Sequence, residues 1–214
     1  MQHLLIGIVG GSGSGKTTLA RRLAARLGSR AAVLGEDAYY FDLPEGVDPA
    51  HWDFDDVKTR DHARLAADLG RLKAGETIQA PRYDFVHHRR LPWSDEIAPA
   101  EVIIVEGLHL LCTPEVADLF DLRVFVDAPA DIRFIRRLLR DQAERGRSVQ
   151  SVTEQYLETV RPAYLRQIEP CRNLTDVVIH DKGNSVRFPD PAHVDALLAA
   201  VLAHPLVAGK VGLD

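Results

Sequence analysis

Leu4-Leu5-Ile6-Gly7-Ile8-Val9-Gly10-Gly11-Ser12-Gly13-Ser14-Gly15-Lys16-Thr17-Thr18 is the stretch on which the fold turns. Leu4 to Val9 carries no polar alternation, as a strand buried on both faces of a parallel sheet requires. Gly10 to Thr17 then reads G-x-x-x-x-G-K-[ST], and a helical pattern runs from Thr17 to Leu27. In that strand–loop–helix setting the glycines let backbone N–H groups turn inward around phosphates, and the helix N-terminus adds about half a positive charge. The expected nucleotide contacts are Gly10, Gly11, Ser12, Gly13, Ser14, Gly15, Lys16, Thr17 and Thr18. Lys16 is expected to reach the β- and γ-phosphates, and the Thr17 hydroxyl to ligate Mg²⁺. A glycine-rich turn that merely links strand to helix is the competing reading.

Outward from this loop, apolar runs alternate with helical patterns. Ala31 to Leu34, Val102 to Val105, Leu122 to Val126 and Val177 to Ile179 read as further buried strands. Helices are expected over about Lys58 to Lys73, Asp131 to Arg145, Ser151 to about Ile168, and Pro191 to Ala203. Strand and helix taking turns predicts an α/β fold, a parallel sheet with helices on both faces. Thr77 to Pro99 breaks the alternation with Pro81, Pro92 and Pro99 and paired aromatics, and reads as a small β-hairpin insertion leaning over the sheet edge. The chain of 214 residues, 46% hydrophobic, fits one domain over 1–214.

Composition excludes several classes of function. A formal charge of -5 argues against a dedicated nucleic-acid binder. The apolar runs fall short of the roughly 18 residues a membrane span needs. Met1 to Ile6 lacks the basic region of a secretory signal, so a cytoplasmic protein is expected. Cys112 and Cys171 are too few and too scattered for a disulfide framework or a thiolate metal site.

The motif leaves several classes of P-loop protein open. Neither Asp-x-x-Gly nor Asn-Lys-x-Asp occurs, against a GTPase. A mechanical ATPase usually ends a strand in Asp-Glu to polarise water, whereas here the third strand ends Val105-Glu106-Gly107. One such carboxylate suits a small-molecule kinase, where water must be excluded. Asp37 follows the second strand, and strand C-termini border the ligand crevice in open α/β sheets. Asp37, Glu106 and the P-loop should therefore converge. A carboxylate there can accept a hydroxyl proton, worth roughly 10²–10⁴-fold in rate; a turn or N-cap aspartate is the alternative. Tyr83 and Phe85 alternate with Asp84 and share one face of an extended segment, able to pack on a planar ring or simply on the hairpin core.

Arg133, Arg136, Arg137 and Arg140 fall at i, i+3, i+4 and i+7, one helix face, and Arg145-Gly146-Arg147 follows. They could form a solvated face paired with Asp131, Asp141 and Glu144, or a nucleic-acid patch. The Arg-Gly-Arg break points instead to a hinged lid over about 131–150, whose guanidiniums close on a transferring phosphoryl group.

Taken together, the chain resembles the uridine kinase (uridine–cytidine kinase) family over nearly its whole length. The resemblance is carried by Gly10 to Thr18, Asp37-Ala38-Tyr39-Tyr40, Trp52-Asp53-Phe54, Pro81-Arg82-Tyr83-Asp84-Phe85 with His88, Val105-Glu106-Gly107, Arg136 to Arg147, and Gln155-Tyr156. It implies a P-loop nucleoside-kinase fold with a hairpin insertion and a lid. The implied reaction is ATP plus uridine or cytidine giving the 5′-monophosphate and ADP, in pyrimidine salvage, with GTP left open as donor. By the same resemblance Asp37 is the base, and Asp37, Glu106 and Thr17 form the Mg²⁺ environment. Asp53 is expected to accept from the ribose hydroxyls, and Tyr40, Tyr83, Phe85 and His88 to meet the base. Arg137, Arg147 and Gln155 fall at substrate-contacting positions, Arg140 and Arg145 face the phosphates, and Asn184 falls near the adenine. Arg133 and Arg136 are expected to be structural. The family is typically a homotetramer.

The pattern departs from the family at two places. His51-Trp52 replaces an Asn-Phe type pair, and Phe54-Asp55 replaces His-Pro. The competing functions are a related kinase acting on ribulose 5-phosphate or pantothenate, and a non-catalytic nucleotide-binding regulator.

Overall fold

The computed structural model describes residues 3–49, 52–181 and 191–205. Five strands form one parallel sheet: β1 (Leu4–Val9), β2 (Ala31–Gly35), β5 (Val102–Gly107), β6 (Leu122–Asp127) and β7 (Val177–His180), in the order β2-β5-β1-β6-β7. The central strand β1 pairs with β5 from Leu4↔Val102 to Val9↔Gly107, and with β6 from Ile6↔Leu122 to Val9↔Phe125. Every β1 residue is buried, as its unbroken apolar run predicts.

Alternation of side chains divides the core into two layers. Leu4, Ile6, Ile8, Ile104 and Val124 pack against α1 (Lys16–Leu27) and α7 (Pro191–Ala203). Leu5, Val9, Ile103, Val105 and Phe125 face α2 (His62–Lys73) and the segment around Val116 and Phe120. Gly7 belongs to this second face, where the Phe120 ring would lie 3.0 Å from any added Cβ.

The hairpin expected over 77–99 is present as β3 (Ile78–Asp84) and β4 (Arg89–Ile97), antiparallel with a register irregularity between Pro81 and Tyr83. Two helix boundaries differ from the periodicity. α2 begins at His62 rather than near Lys58. Asp56 instead caps a separate 3₁₀ turn, Val57–Thr59, and Asp61 caps α2 by accepting from Arg64 N at 3.0 Å. The helical run expected from Ser151 begins early, as α5 (Val149–Gln155), and continues through π turns at Tyr156–Val160 and Tyr164–Ile168, either side of the short α6 (Arg161–Ala163). A short α3 (Pro114–Ala117) was not apparent from periodicity.

Helix α4 (Ala130–Arg145) ends where the Arg-Gly-Arg break predicts. Gly146 takes φ +63 and donates its N–H to Asp141 O, and Ser148 caps α5. The two cysteines, distant in sequence, meet in space: their Sγ atoms lie 3.7 Å apart and both are free thiols. No helix among the described residues is long and apolar enough to cross a membrane.

Candidate active site

The phosphate cradle is built almost entirely from backbone. Gly13 and Gly15 hold φ of +78 and +92, where a side chain is strained. A Cβ on Gly13 would lie 2.2 Å from the backbone oxygen of Arg133, so the loop is closed over the start of α4. No side chain caps α1, which leaves its first amides for a ligand. The Ser14 Oγ is buried with no hydrogen-bond partner among the described residues, an orphan acceptor-donor that a phosphate oxygen would satisfy. Lys16 is buried beside it, and Thr18 is exposed on the first turn of α1. These features fit a nucleoside triphosphate.

The carboxylates converge on the same edge. Thr17 hydrogen-bonds to Glu106; burial pushes the Glu106 carboxyl up, while Lys16 and this bond pull it down. One hydroxyl and one carboxylate side by side, with Asp37 within electrostatic reach, are a hard-oxygen donor set suited to Mg²⁺. Asp37 sits in the 3₁₀ turn Glu36–Tyr39 that follows β2, with its side chain 44% exposed. Its Oδ1 is buried, 3.5 Å from Arg60 Nη2.

Beneath Asp37 lies a charged network that sequence reading missed. Glu36 is fully buried and accepts from Leu108 N (2.7 Å), His109 N (3.0 Å) and His62 Nε2 (2.8 Å). Burial works against its charge, but His62 and Arg60 hold its pKa at about 2. Gly107 makes room for it, since a Cβ there would meet Glu36 Oε2 at 2.3 Å. The only signals were two adjacent carboxylates at a strand end and a glycine after Glu106. His109 is 0% exposed, and neither ring nitrogen has a hydrogen-bond partner among the described residues. Burial and Arg60 push its pKa down to about 4, so the ring is neutral at neutral pH.

The aromatic residues gather into one cluster. Tyr40 lies 5.2 Å from Tyr83 and 6.4 Å, edge-on, from Phe85, and Tyr83 meets Phe85 edge-on at 5.2 Å. The Tyr83 hydroxyl is buried without a partner among the described residues, and burial pushes its pKa up to about 12. His88 adopts φ +53, rare for a side-chain-bearing residue and a form of strain that gathers at ligand sites. It stacks on Phe54 at 4.7 Å, so Phe54, which departs from the family pattern, joins the cluster. Burial lowers the His88 pKa, and Arg145 adds to the effect. Asp53 begins the loop below; burial raises its pKa, and its Oδ1 accepts from Asp55 N at 3.0 Å.

The arginine helix divides its work. Arg133 packs against the cradle and Arg136 turns away from it: the Arg133 guanidinium lies against Gly11, donates to Ala128 O and covers the Tyr164 ring, and Arg136 pairs with Asp181 at 2.6 Å. Arg137 reaches the cradle, donating to Ser12 Oγ at 3.0 Å and to Gln155 Oε1 at 2.8 Å. Arg147 also donates to Gln155 Oε1. Asp141, fully buried, gathers Arg137 (3.5 Å), Arg140 (2.8 Å) and Arg145 (3.5 Å). Arg145 also lies 5.4 Å over the Phe85 ring, so the helix end meets the hairpin. Asn184 lies outside the described residues, as does His51.

The sequence profile of the phosphoribulokinase / uridine kinase family matches residues 5–186. The uridine kinase of Chloroflexus aggregans is 41% identical over 203 residues, 94% of this chain and 95% of that protein. The uridine kinase of Shewanella frigidimarina is 41% identical over 207 residues, 92% and 98% of the two chains. Among solved structures, phosphoribulokinase from Rhodobacter spheroides superposes with a TM-score of 0.64 at 19% identity, over 95% of this chain and 86% of that one, a likeness of fold. With a profile match over most of its length and full-length relatives near 40% identity, the chain belongs to the phosphoribulokinase / uridine kinase family.

Proposed function

We propose that this chain is a nucleoside kinase that transfers the γ-phosphoryl group of ATP to the 5′-hydroxyl of uridine or cytidine. The observation that carries this reading is Asp37. It stands at the C-terminal end of β2, half-exposed, within electrostatic reach of Glu106 towards the cradle and of Arg145 towards the hairpin. Relatives named uridine kinase, near 40% identical and full-length, support the acceptor class.

In this reading Lys16 and the amides of residues 10–17 hold the triphosphate. Mg²⁺ held by Thr17 and Glu106, close to Asp37, supplies positive charge against the phosphate oxygens when bound. Asp37 takes the 5′-hydroxyl proton as that oxygen bonds to the γ-phosphorus and the bond to the β,γ-bridging oxygen breaks, leaving ADP. Residues 131–150 act as the lid of a single domain, and Arg140 and Arg145 stabilise the moving charge. Arg137, Arg147 and Gln155 orient the acceptor, Tyr40, Tyr83 and Phe85 pack on the pyrimidine, and His88 hydrogen-bonds its edge. Asp53 accepts from the ribose hydroxyls, which favours ribo- over deoxyribonucleosides. A cytoplasmic homo-oligomer in pyrimidine salvage is the matching setting.

The test is ADP release from Mg·ATP with uridine, cytidine, deoxyuridine, ribulose 5-phosphate and pantothenate offered separately. Turnover of uridine or cytidine with little of deoxyuridine is expected. Turnover confined to a non-nucleoside would discard the aromatic pocket, and nucleotide binding without turnover would point to a regulator.

A further inference from the structure

We propose that Arg60 is a positioning residue, one that fixes which oxygen of Asp37 meets the acceptor and ties that carboxylate to the loop following Asp53. The proposal rests on the kinase reading above. Arg60 belongs to none of the stretches that carry the family resemblance.

Arg60 is 3% exposed and stands between two segments of the site; both terminal nitrogens hydrogen-bond, while Nε lies within ion-pair distance of Glu36 without a hydrogen bond of its own among the described residues. Towards the loop, Nη1 faces Phe54 O at 3.2 Å, Asp56 O at 3.4 Å and Thr59 Oγ1 at 3.1 Å. Towards the turn, Nη2 donates to the Tyr40 hydroxyl and lies 3.5 Å from Asp37 Oδ1, and Nε lies 3.7 Å from Glu36 Oε2. The guanidinium carbon sits 4.2 Å over the Tyr40 ring. Burial opposes its charge, but Tyr40, Glu36, Asp37 and Asp55 around it keep it protonated. A planar fork with fixed donor directions can serve both segments at once, which a point charge cannot.

The consequence for chemistry follows from Asp37. Its Oδ1 is buried against this guanidinium, while the side chain as a whole is 44% exposed. The exposure therefore lies on the methylene and Oδ2, which leaves Oδ2 as the carboxylate oxygen open to an incoming group. Arg60 thus keeps the carboxylate from rotating and presents one oxygen to the incoming hydroxyl. Near-attack geometry of this kind is worth large factors in rate, and small misplacements lose them. Through the Phe54 and Asp56 carbonyls the same guanidinium sets the loop that begins at Asp53. Turnover and acceptor affinity should therefore fail together, with nucleotide affinity spared.

The experiment compares Arg60→Met, Arg60→Lys and Tyr39→Phe in the full chain by kcat, KM for uridine, ADP affinity by calorimetry, and Tm. Tyr39 is the structural control: it lies in the same turn, and its buried hydroxyl donates to Asp68 at 2.8 Å, away from Asp37. Arg60→Met is expected to lower kcat about 10- to 100-fold and raise KM for uridine about tenfold, with ADP affinity within about twofold. Arg60→Lys should recover more of kcat than of KM, because it keeps the charge near Asp37 but cannot span the loop carbonyls. Tyr39→Phe should lower Tm and leave kcat and KM within about twofold. If Arg60→Met does not fold, Arg60→Lys decides, and wild-type constants in it overturn the proposal. Arg60 and Tyr39 variants that lose only Tm, or an Arg60 variant that loses ADP affinity as much as uridine affinity, also overturn it. A wild-type chain that turns over no nucleoside overturns the kinase reading, and this proposal with it; uridine turnover in the wild type with an indifferent Arg60 overturns this proposal alone.

Discussion

The two halves of the site are built by different means. The phosphate half is eight consecutive residues, Gly10 to Thr17, between one strand and one helix, and most of its binding groups are amides. The acceptor half is assembled from side chains of five separate regions: 36–40, 53–62, 83–88, 106–109 and 137–155. Backbone cannot be exchanged by mutation, so recognition of phosphate tolerates little variation in the loop and much around it. Side chains can be exchanged one at a time, so substrate choice on this side can change without a change of fold.

The largest expected effect falls on the acceptor half. Asp37→Asn should reduce uridine turnover by about 10²–10⁴-fold while calorimetry shows ADP affinity nearly unchanged. Turnover at the wild-type rate would remove Asp37 as the base.

A stability effect comes next, in the network that supports Asp37. His109 is held neutral by burial, with its pKa at about 4. An unfolded histidine titrates near 6.5, so below that pH the unfolded chain binds the extra proton. The favourable contribution is present above about pH 6.5 and is lost as pH falls towards 4. The two pKa values correspond to about 3 kcal/mol. Denaturant unfolding of wild type and His109→Leu should show the wild type losing about that much more between pH 7 and pH 4. Parallel curves would show that the ring finds a proton-accepting partner in solution.

The phosphate half is probed by Gly13→Ala. With φ at +78 and the Arg133 carbonyl 2.2 Å from the new methyl, the loop must shift. ADP affinity is expected to fall at least tenfold while the aromatic cluster on the acceptor side stays intact. Unaltered affinity would mean that the backbone of α4 yields and that the two halves are less distinct than they look.

The smallest effect separates the halves within one assay. Asp53→Ala should raise KM for uridine about tenfold, as loss of hydrogen bonds to a charged acceptor does, and leave KM for ATP in place. Equal changes in both constants would remove the ribose role of Asp53.

Much of the fold was legible in the chain. The apolar runs at Leu4, Val102 and Leu122 could only be strands covered on both sides, and the glycine loop, the hairpin prolines and Gly146 each mark a local backbone event. α2 was misplaced by four residues because Asp56 and Asp61 each cap a separate turn, and periodicity cannot choose between two caps. Lys16, Thr17, Asp37 and Glu106 could be placed together because all follow strand ends on one edge of the sheet.

Sequence alone thus determined the α/β class, the phosphate cradle and the family, since these depend on periodicities and motifs within a few residues. Tertiary structure alone decided that Glu36 turns inward while Asp37 turns out, and that Arg60 links Asp37 to the loop after Asp53. It also decided that Asp141 gathers three arginines and that two cysteines 59 residues apart come within 3.7 Å. Those arrangements are non-local. Each depends on which distant groups can satisfy a buried charge, and no spacing along the chain records that choice.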